Sequence, residues 1–205
     1  MTELIINAYS RITNHGVWLN GEEKTIIKSG ENSLFLDDIY RTLKIQYLKF
    51  FKMDRLSKAG FLASEMVIDF MQIERDTPKK EHAILCFNRS SSLDNDTLYQ
   101  QTIQNPQNYF PSPSIFVYTL PNIVMGEIAI RNKIYGETSF YIAEHFSAEQ
   151  LYFSITDIFK TGNVSALLCG WIEFYEDVCD VLMMYISEKG KGEKVSVENF
   201  NKLFV

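Results

Sequence analysis

The stretch IYGETSFYIAEHFSAEQLYFSITDIFKTG, residues 134–162, predicts a strand that runs directly into a helix. Residues 139–143 are mostly apolar or aromatic, as in a strand, and residues 148–160 have helical spacing. A helix that begins sharply after a strand is a good support for a nucleophile, because the helix N-terminus stabilises developing negative charge. The junction EHFS, residues 144–147, is therefore the first candidate for a functional site.

Composition bounds the class of protein. The chain has 205 residues, of which 46% are hydrophobic and 22% charged, as in an ordinary globular protein with a substantial core. A net charge of -6 argues against a dedicated nucleic-acid binder. The N-terminal residues lack the pattern of a secretory signal, and no apolar run is long enough for a membrane span. Cys86, Cys169 and Cys179 lie in scattered apolar runs, which predicts buried reduced thiols and a cytoplasmic protein.

Predicted strands alternate with predicted helices along most of the chain. This order indicates an α/β protein, with a mixed, mostly parallel sheet flanked by helices in a single domain, residues 1–205. Strands are predicted at 4–12, 82–90, 139–143, 164–174 and 178–187, and helices at 37–51, 53–72, 97–104, 124–134 and 148–160. The proline-rich segment 105–122 predicts a loop, whereas the final residues 195–205 fit either a helix or a strand.

Two local patterns fail as functional motifs. The sequence GKGEK, residues 190–194, lacks the upstream glycine and the trailing Ser or Thr of a phosphate-binding loop, which favours a solvated turn. The three histidines, His15, His82 and His145, have no partner at the spacing of metal ligands. We therefore expect neither a metal site nor a cofactor.

Four segments together resemble the N-terminal half of a β-ketoacyl synthase (3-oxoacyl-acyl-carrier-protein synthase), of the thiolase-like superfamily. FKMDRLSKAGFLASEMVI is similar to the family's Met-Asp-Arg helix, and SPSIFVYTLPNIVMGEIAI to its Pro-x-x-Phe…Pro-Asn…Gly segment. IYGETSFYI resembles the Gly-Pro-Ser strand, and LLCGWIEF the strand that ends in Gly-Gly-x-Glu. The resemblance extends over residues 51–173 and implies a thiolase-like half-fold.

The spacing within these segments identifies the residue that corresponds to the family's nucleophile. In the family, the strand-opening glycine, the nucleophilic cysteine and the glycine that ends the next helix are regularly spaced. The same spacing runs here from Gly136 through His145, nine residues on, to Gly162, seventeen further on. Gly170 and Glu173 then match the family's glycine and glutamate. The resemblance therefore implies that His145 occupies the position of the cysteine.

A second departure concerns the C-terminal half. In the family, a complete chain stacks two α/β halves about a shared layer of helices, and the decarboxylating histidines come from the second half, which would begin near Val205. Condensation needs both the thiolate and those histidines. The resemblance thus implies a chain that is incapacitated as a stand-alone condensing enzyme.

The helix after the junction has one apolar and one polar face. Burying the charges of the polar face without partners would cost several kcal/mol each, so we expect that face to contact solvent. This would suit a half-fold that exists alone. The apolar stripe comprises Ala148, Leu151, Tyr152, Ile155, Ile158 and Phe159, and the polar face comprises Glu149, Gln150, Asp157 and Lys160.

The strand before the junction pairs with its own copy across the dimer axis in the family. We expect it to serve here in a homodimer, or in a heterodimer with a full-length ketosynthase, because an unpaired apolar edge invites aggregation. The alternative is a strand internal to the sheet. The predicted dimer strand comprises Phe140, Tyr141, Ile142 and Ala143.

Three functions are compatible with these observations. The first is a non-catalytic subunit of fatty-acid or polyketide-type (aryl-polyene-like) biosynthesis, by analogy with chain length factors. The second is an acyl-thioester enzyme in which His145 is a general base beside Ser147 or Glu144; Ser147 could instead simply cap the helix. The third is a module that binds an acyl chain or acyl carrier protein. Aromatic side chains, Phe110, Phe116 and Phe140, are expected to be buried in the former acyl tunnel.

Overall fold

The computed structural model describes residues 3–26 and 35–204. Within these residues, one eight-stranded sheet is flanked by seven α-helices. The strands are β1 (Ile5–Thr13), β2 (Gly16–Leu19), β3 (Glu22–Ile26), β4 (His82–Asn88), β5 (Thr138–Ile142), β6 (Ala166–Tyr175), β7 (Val178–Ser187) and β8 (Glu193–Lys194). The helices are α1 (Phe35–Thr42), α2 (Arg55–Phe70), α3 (Leu93–Ile103), α4 (Pro113–Phe116), α5 (Ile123–Asn132), α6 (Ala148–Thr161) and α7 (Val197–Phe204).

The sheet is mixed, as predicted, but it is not mostly parallel. The strand order is β3-β2-β1-β7-β6-β4-β5, with β8 also paired to β1. Among the described strands, five of the seven pairings are antiparallel, and only those of β4 with β5 and with β6 are parallel. The prediction failed because two-residue turns at 14–15, 20–21 and 176–177 close hairpins, whereas a parallel pair needs a long crossover.

Helix α2 forms where the sequence predicts it and is the central element of one sheet face. The carboxylate of Asp54 caps its first turn by accepting a hydrogen bond from the Ser57 amide, at 3.1 Å. Gly60 lets α5 and β6 approach closely, because a Cβ there would lie 2.6 Å from a methyl group of Val124 and 2.8 Å from one of Ile172. Helix α2 is consequently buried over most of its surface.

Helices α6 and α7 cover the opposite face of the sheet. The polar face of α6 is exposed, as predicted, and four of the six predicted stripe residues are buried. Phe159 is partly buried, but Tyr152 is 40% exposed. The ambiguous C-terminal segment forms α7, whose Phe200 is fully buried in the same apolar cluster. The buried stripe residues are Ala148, Leu151, Ile155 and Ile158.

Two further expectations need correction. The helix predicted over 37–51 is divided into α1 and a separate 3₁₀ turn at Leu48–Lys52. Phe110 is 79% exposed and Phe116 is 57% exposed, so neither fills an internal tunnel, and only Phe140 packs partly against the core. The reason is that the irregular segment 105–122 and α4 lie against α3 at the surface.

Candidate functional site

The strand-to-helix junction forms a tight elbow. The amide of Ala143 donates a hydrogen bond to the Asn88 carbonyl, at 2.8 Å, and thereby holds the end of β5 against β4. Ser147 is the N-cap of α6, and its Oγ accepts a hydrogen bond from the Gln150 amide, at 3.2 Å. The same hydroxyl donates to Glu149, at 3.1 Å. The hydroxyl of Ser147 is therefore engaged in capping the helix, as the simpler interpretation of the sequence predicts.

The three candidate residues of the elbow are neighbours in sequence without forming a catalytic arrangement. The side chains of His145 and Glu144 are exposed. Among the hydrogen bonds of the described residues, none joins the His145 imidazole to Glu144 or Ser147. A general base or an activated nucleophile needs such a bond to fix its orientation and protonation. The exposed imidazole thus lacks the support that the enzyme hypothesis needs.

A small cavity lies behind the elbow. Its volume is about 10 Å³, which is roughly the space of one water molecule and far less than an acyl chain needs. Its walls come from β4, the elbow, the first turn of α6 and β6. The lining residues are Phe87, His145, Phe146, Ser147, Leu151, Gly170 and Trp171.

Helix α7 closes the elbow from the other side. The ring of Phe204 stacks on Phe146, with centroids 3.8 Å apart and planes within 5°. Trp171 meets both rings edge-on, at 6.2 and 6.4 Å. The guanidinium of Arg11 lies 4.7 Å from the centre of the Phe204 ring and donates a hydrogen bond to the Phe204 carbonyl, at 2.8 Å. The C-terminal helix is therefore tied to the elbow by aromatic and cationic contacts.

Gly170 and Glu173, which the resemblance matches to the family's glycine and glutamate, have structural roles in the sheet and in the loop that follows β4. A Cβ on Gly170 would lie 1.8 Å from the Leu182 carbonyl oxygen in the neighbouring strand β7. Glu173 is only 7% exposed, and one of its carboxylate oxygens accepts the amides of Arg89, at 2.7 Å, and Ser90, at 3.2 Å. Glu173 therefore fixes the loop between β4 and α3, next to the end of β5.

The Met-Asp-Arg segment is also structural. Arg55 forms a two-contact ion pair with Asp94, whose side chain is 5% exposed; the Nε–Oδ2 distance is 2.9 Å. The guanidinium lies 5.1 Å from the centre of the Phe174 ring. Burial is the main cause that raises the pKa of Asp54 to about 6. Asp94 escaped the sequence analysis because nothing local joins residues 39 positions apart.

Strand β5 lies at one edge of the sheet, so the alternative of an internal strand is wrong. Tyr141 stacks on Phe87 of β4, with centroids 5.2 Å apart, yet it stays 49% exposed, and Ile142 is 54% exposed. Phe140 and Ala143 are partly buried against the two apolar clusters. An open groove of about 250 Å³ separates β5 from α6. Its lining residues are Phe87, Tyr141, Ile142, Ala143, Gln150, Phe153 and Ser154.

Other reactive groups lie away from the surface. The three cysteines are free and buried, and burial raises the pKa of each thiol, so none is a ready thiolate. Within residues 3–26 and 35–204, no cluster of three or more His, Cys, Asp or Glu side chains could hold a metal ion. In the same part of the chain, no helix has the length and apolarity needed to cross a bilayer.

Comparisons with known proteins agree with this fold. No family model matches the sequence, and no curated protein is significantly similar to it in sequence. The ishigamide ketosynthase/chain length factor superposes with a TM-score of 0.66 at 15% identity, over 94% of this chain and 64% of that one. A structure of the ketosynthase ApeO in complex with its chain length factor ApeC, from Xenorhabdus doucetiae, superposes with a TM-score of 0.57 at 12% identity. The match covers 94% of this chain and 81% of that one.

A third comparison is a type II polyketide synthase complex, AntDE:AntF, in which an acyl carrier protein is bound to its ketosynthase. It gives a TM-score of 0.61 at 11% identity, over 92% of this chain and 64% of that one. The chain thus spans just under two thirds of the first and third structures. The resemblance predicted from the sequence is confirmed: the chain has the thiolase-like fold of the β-ketoacyl synthases.

Proposed function

We propose that this chain is a non-catalytic, ketosynthase-like subunit that pairs with a ketosynthase in fatty-acid or polyketide-type biosynthesis, for example of an aryl-polyene-like product. The proposal rests on the arrangement of side chains at the strand-to-helix elbow, residues 144–147. The resemblance implies that His145 occupies the position of the family's nucleophile. In the structure its side chain is exposed, and no hydrogen bond among the described residues joins it to Glu144 or Ser147. The cavity behind it, about 10 Å³, has no room for an acyl chain.

The chemistry available to the chain supports a role without catalysis. Condensation needs a thiolate to accept the acyl group and donors to stabilise the enolate. The three thiols are buried and have raised pKa values, and the Ser147 hydroxyl caps α6. Free, buried cysteines also suit the cytoplasm, where we place the protein.

A pairing role is supported by the exposed edge of strand β5. Among the described strands, β5 has a hydrogen-bonded neighbour on one side only, and its residues Tyr141 and Ile142 are half exposed. Structures with the same fold include a ketosynthase bound to a chain length factor and a ketosynthase bound to an acyl carrier protein. We therefore propose that β5 pairs with a partner strand, and that an acyl carrier protein is a further candidate partner.

The test is intact mass spectrometry after incubation with an acyl-CoA and with an acyl-acyl-carrier protein, together with an assay of free thiol release. We expect an unchanged mass and an intact thioester. A His145→Cys variant is the matched control, because iodoacetamide should alkylate an exposed thiol at the N-terminus of α6 and so show that the elbow is accessible.

The opposite result would replace this proposal by the acyl-thioester enzyme. A stoichiometric acyl adduct on the wild-type chain, or thioester turnover that disappears in His145→Ala, would show that the elbow performs chemistry. Turnover retained in His145→Ala would remove His145 from the reaction and direct the search to another nucleophile.

A further inference from the structure

We infer that the charges beside β5 favour pairing with a different chain, whose edge strand is flanked by Lys or Arg, over pairing with a second copy of this chain. The inference rests on the proposed pairing function and specifies its partner. Three observations carry it: the free hydrogen-bonding edge, the acidic flanks of that edge, and the geometry of self-pairing.

The outer side of β5 presents backbone N–H and C=O groups that could hydrogen-bond to another strand. Ile84 donates its amide to the Glu137 carbonyl, and Ala143 donates its amide to the Asn88 carbonyl. Because backbone groups in a strand alternate in direction, the odd-numbered residues of β5 bond to β4 and the even-numbered ones point outward. The N–H groups of Phe140 and Ile142 therefore face the free side.

Acidic residues outnumber basic ones in the segment that forms this edge and α6, residues 134–161. These residues include one basic residue, Lys160 in the last turn of α6, and four acidic residues. All four are exposed, and none forms an ion pair within the described residues. Arg89 is exposed and follows β4 beside the end of β5, and none of the ion pairs formed by residues 3–26 and 35–204 includes it. The four acidic residues are Glu137, Glu144, Glu149 and Asp157.

Self-pairing would bring like charges together. In an antiparallel pair of two copies centred on Phe140, Glu137 of one copy lies opposite Ala143 of the other, one position from the other copy's Glu144. Two carboxylates thus lie at each end of the pair, one toward each face of the sheet. At low salt these carboxylates lie within a Debye length of each other and repel, whereas basic residues at these positions would attract both carboxylates and steer association.

The experiment uses a charge-reversed copy of the chain as a model of the basic partner. The Glu137→Lys/Glu144→Lys double variant is mixed with isotope-labelled wild type, and the dimers are quantified by native mass spectrometry and sedimentation. At about 50 mM salt we expect the mixed dimer to be roughly tenfold tighter than the wild-type homodimer. At about 500 mM salt this advantage should largely disappear, because the charges are screened.

Two matched variants locate the effect. Glu22→Lys/Glu23→Lys makes the same charge change at β3, the other edge of the sheet, and should not produce mixed dimers. Ile142→Pro removes an outward N–H of β5 while leaving the bonds to β4 in place, and it should abolish pairing; circular dichroism checks that it folds.

The outcomes separate this inference from the proposed function. A wild-type homodimer as tight as the mixed dimer, insensitive to salt but lost in Ile142→Pro, would overturn the charge inference and keep the pairing edge. Absence of any dimer in every mixture would overturn the charge inference alone, because the proposed pairing with a ketosynthase does not require copies of this chain to pair. Mixed dimers formed equally well by the β3 variant would show that the attraction is general and not directed to β5.

Discussion

The two edges of the sheet are built in opposite ways. At β3, Glu22, Glu23 and Lys24 are all exposed, and Lys24 bonds to Glu22 at 2.9 Å. Charged side chains of this kind protect an edge from pairing with another chain. At β5, the exposed side chains are those of Thr138, Tyr141 and Ile142, and the last two are half exposed. Charged side chains line β3, whereas β5 carries no charged side chain, and Glu137 and Glu144 lie just beyond its ends.

This contrast indicates where the molecule is made to meet a partner. If both edges were apolar, β5 would be an ordinary liability of a small sheet. Because β3 is protected and β5 is not, the difference favours a pairing surface over a general tendency to aggregate. The predictions below change one edge at a time, beginning with the largest expected effect.

Replacing the glycine that precedes β5 should disrupt that edge most strongly. A Cβ at Gly136 would lie 2.2 Å from the His82 carbonyl oxygen, so Gly136→Ala must push β5 away from β4. We expect about 3 kcal/mol less free energy of unfolding in urea. The control at the other edge is Gly21→Ala, which meets only a side-chain hydroxyl and costs about 1 kcal/mol through its φ of 79°. Equal losses would contradict the account.

Removing the apolar side chains of β5 should weaken pairing without unfolding the protein. In the Tyr141→Ser/Ile142→Ser double variant we expect dimers with the charge-reversed copy to weaken about 100-fold, or about 2.7 kcal/mol. The free energy of unfolding should fall by only about 1 kcal/mol, because both side chains are half exposed. Sedimentation gives the first quantity and urea denaturation the second. Unaltered pairing would place the interface elsewhere.

A pH titration of the free energy of unfolding tests the carboxyl group that caps helix α2 while leaving both edges of the sheet unchanged. Burial raises the pKa of Asp54 to about 6, above its unfolded value. The folded state therefore holds a proton that the unfolded state releases, and the free energy of unfolding should fall as the pH rises from about 4 to 6. We expect a loss of about 1 kcal/mol, since the residue is partly exposed. Asp54→Asn should flatten this slope while pairing at β5 stays unchanged; a wild-type slope of opposite sign would contradict the assignment.

The sequence predicted those parts of the molecule that depend on neighbours along the chain. The helix at 148–161, its exposed polar face and the Ser147 cap all follow from local spacing and side-chain chemistry. The C-terminal segment 195–205 is ambiguous in sequence because its three valines and its apolar spacing fit either conformation. Packing of Phe200 against the sheet and stacking of Phe204 on Phe146 favour the helix.

Long-range features escaped prediction for physical reasons. The turn at 176–177 joins β6 and β7 into a hairpin, but its Glu-Asp sequence is not a strong turn signal, so the sheet was expected to be more parallel. The ion pair of Arg55 with Asp94 depends on how α2 and α3 meet. The exposure of Phe110 and Phe116 depends on the course of an irregular segment, whereas their burial was expected from the acyl tunnel that the resemblance implies.

The most direct test of the account is residue-resolved amide hydrogen exchange on wild type, alone and mixed with the Glu137→Lys/Glu144→Lys copy. The outward amides of Phe140 and Ile142 should exchange rapidly in dilute wild type and become at least about tenfold slower in the mixture. The amides of Glu22 and Glu23 at β3 should be unchanged. Protection that appears at β3, or that appears at neither edge, would contradict the claim that β5 is the pairing edge.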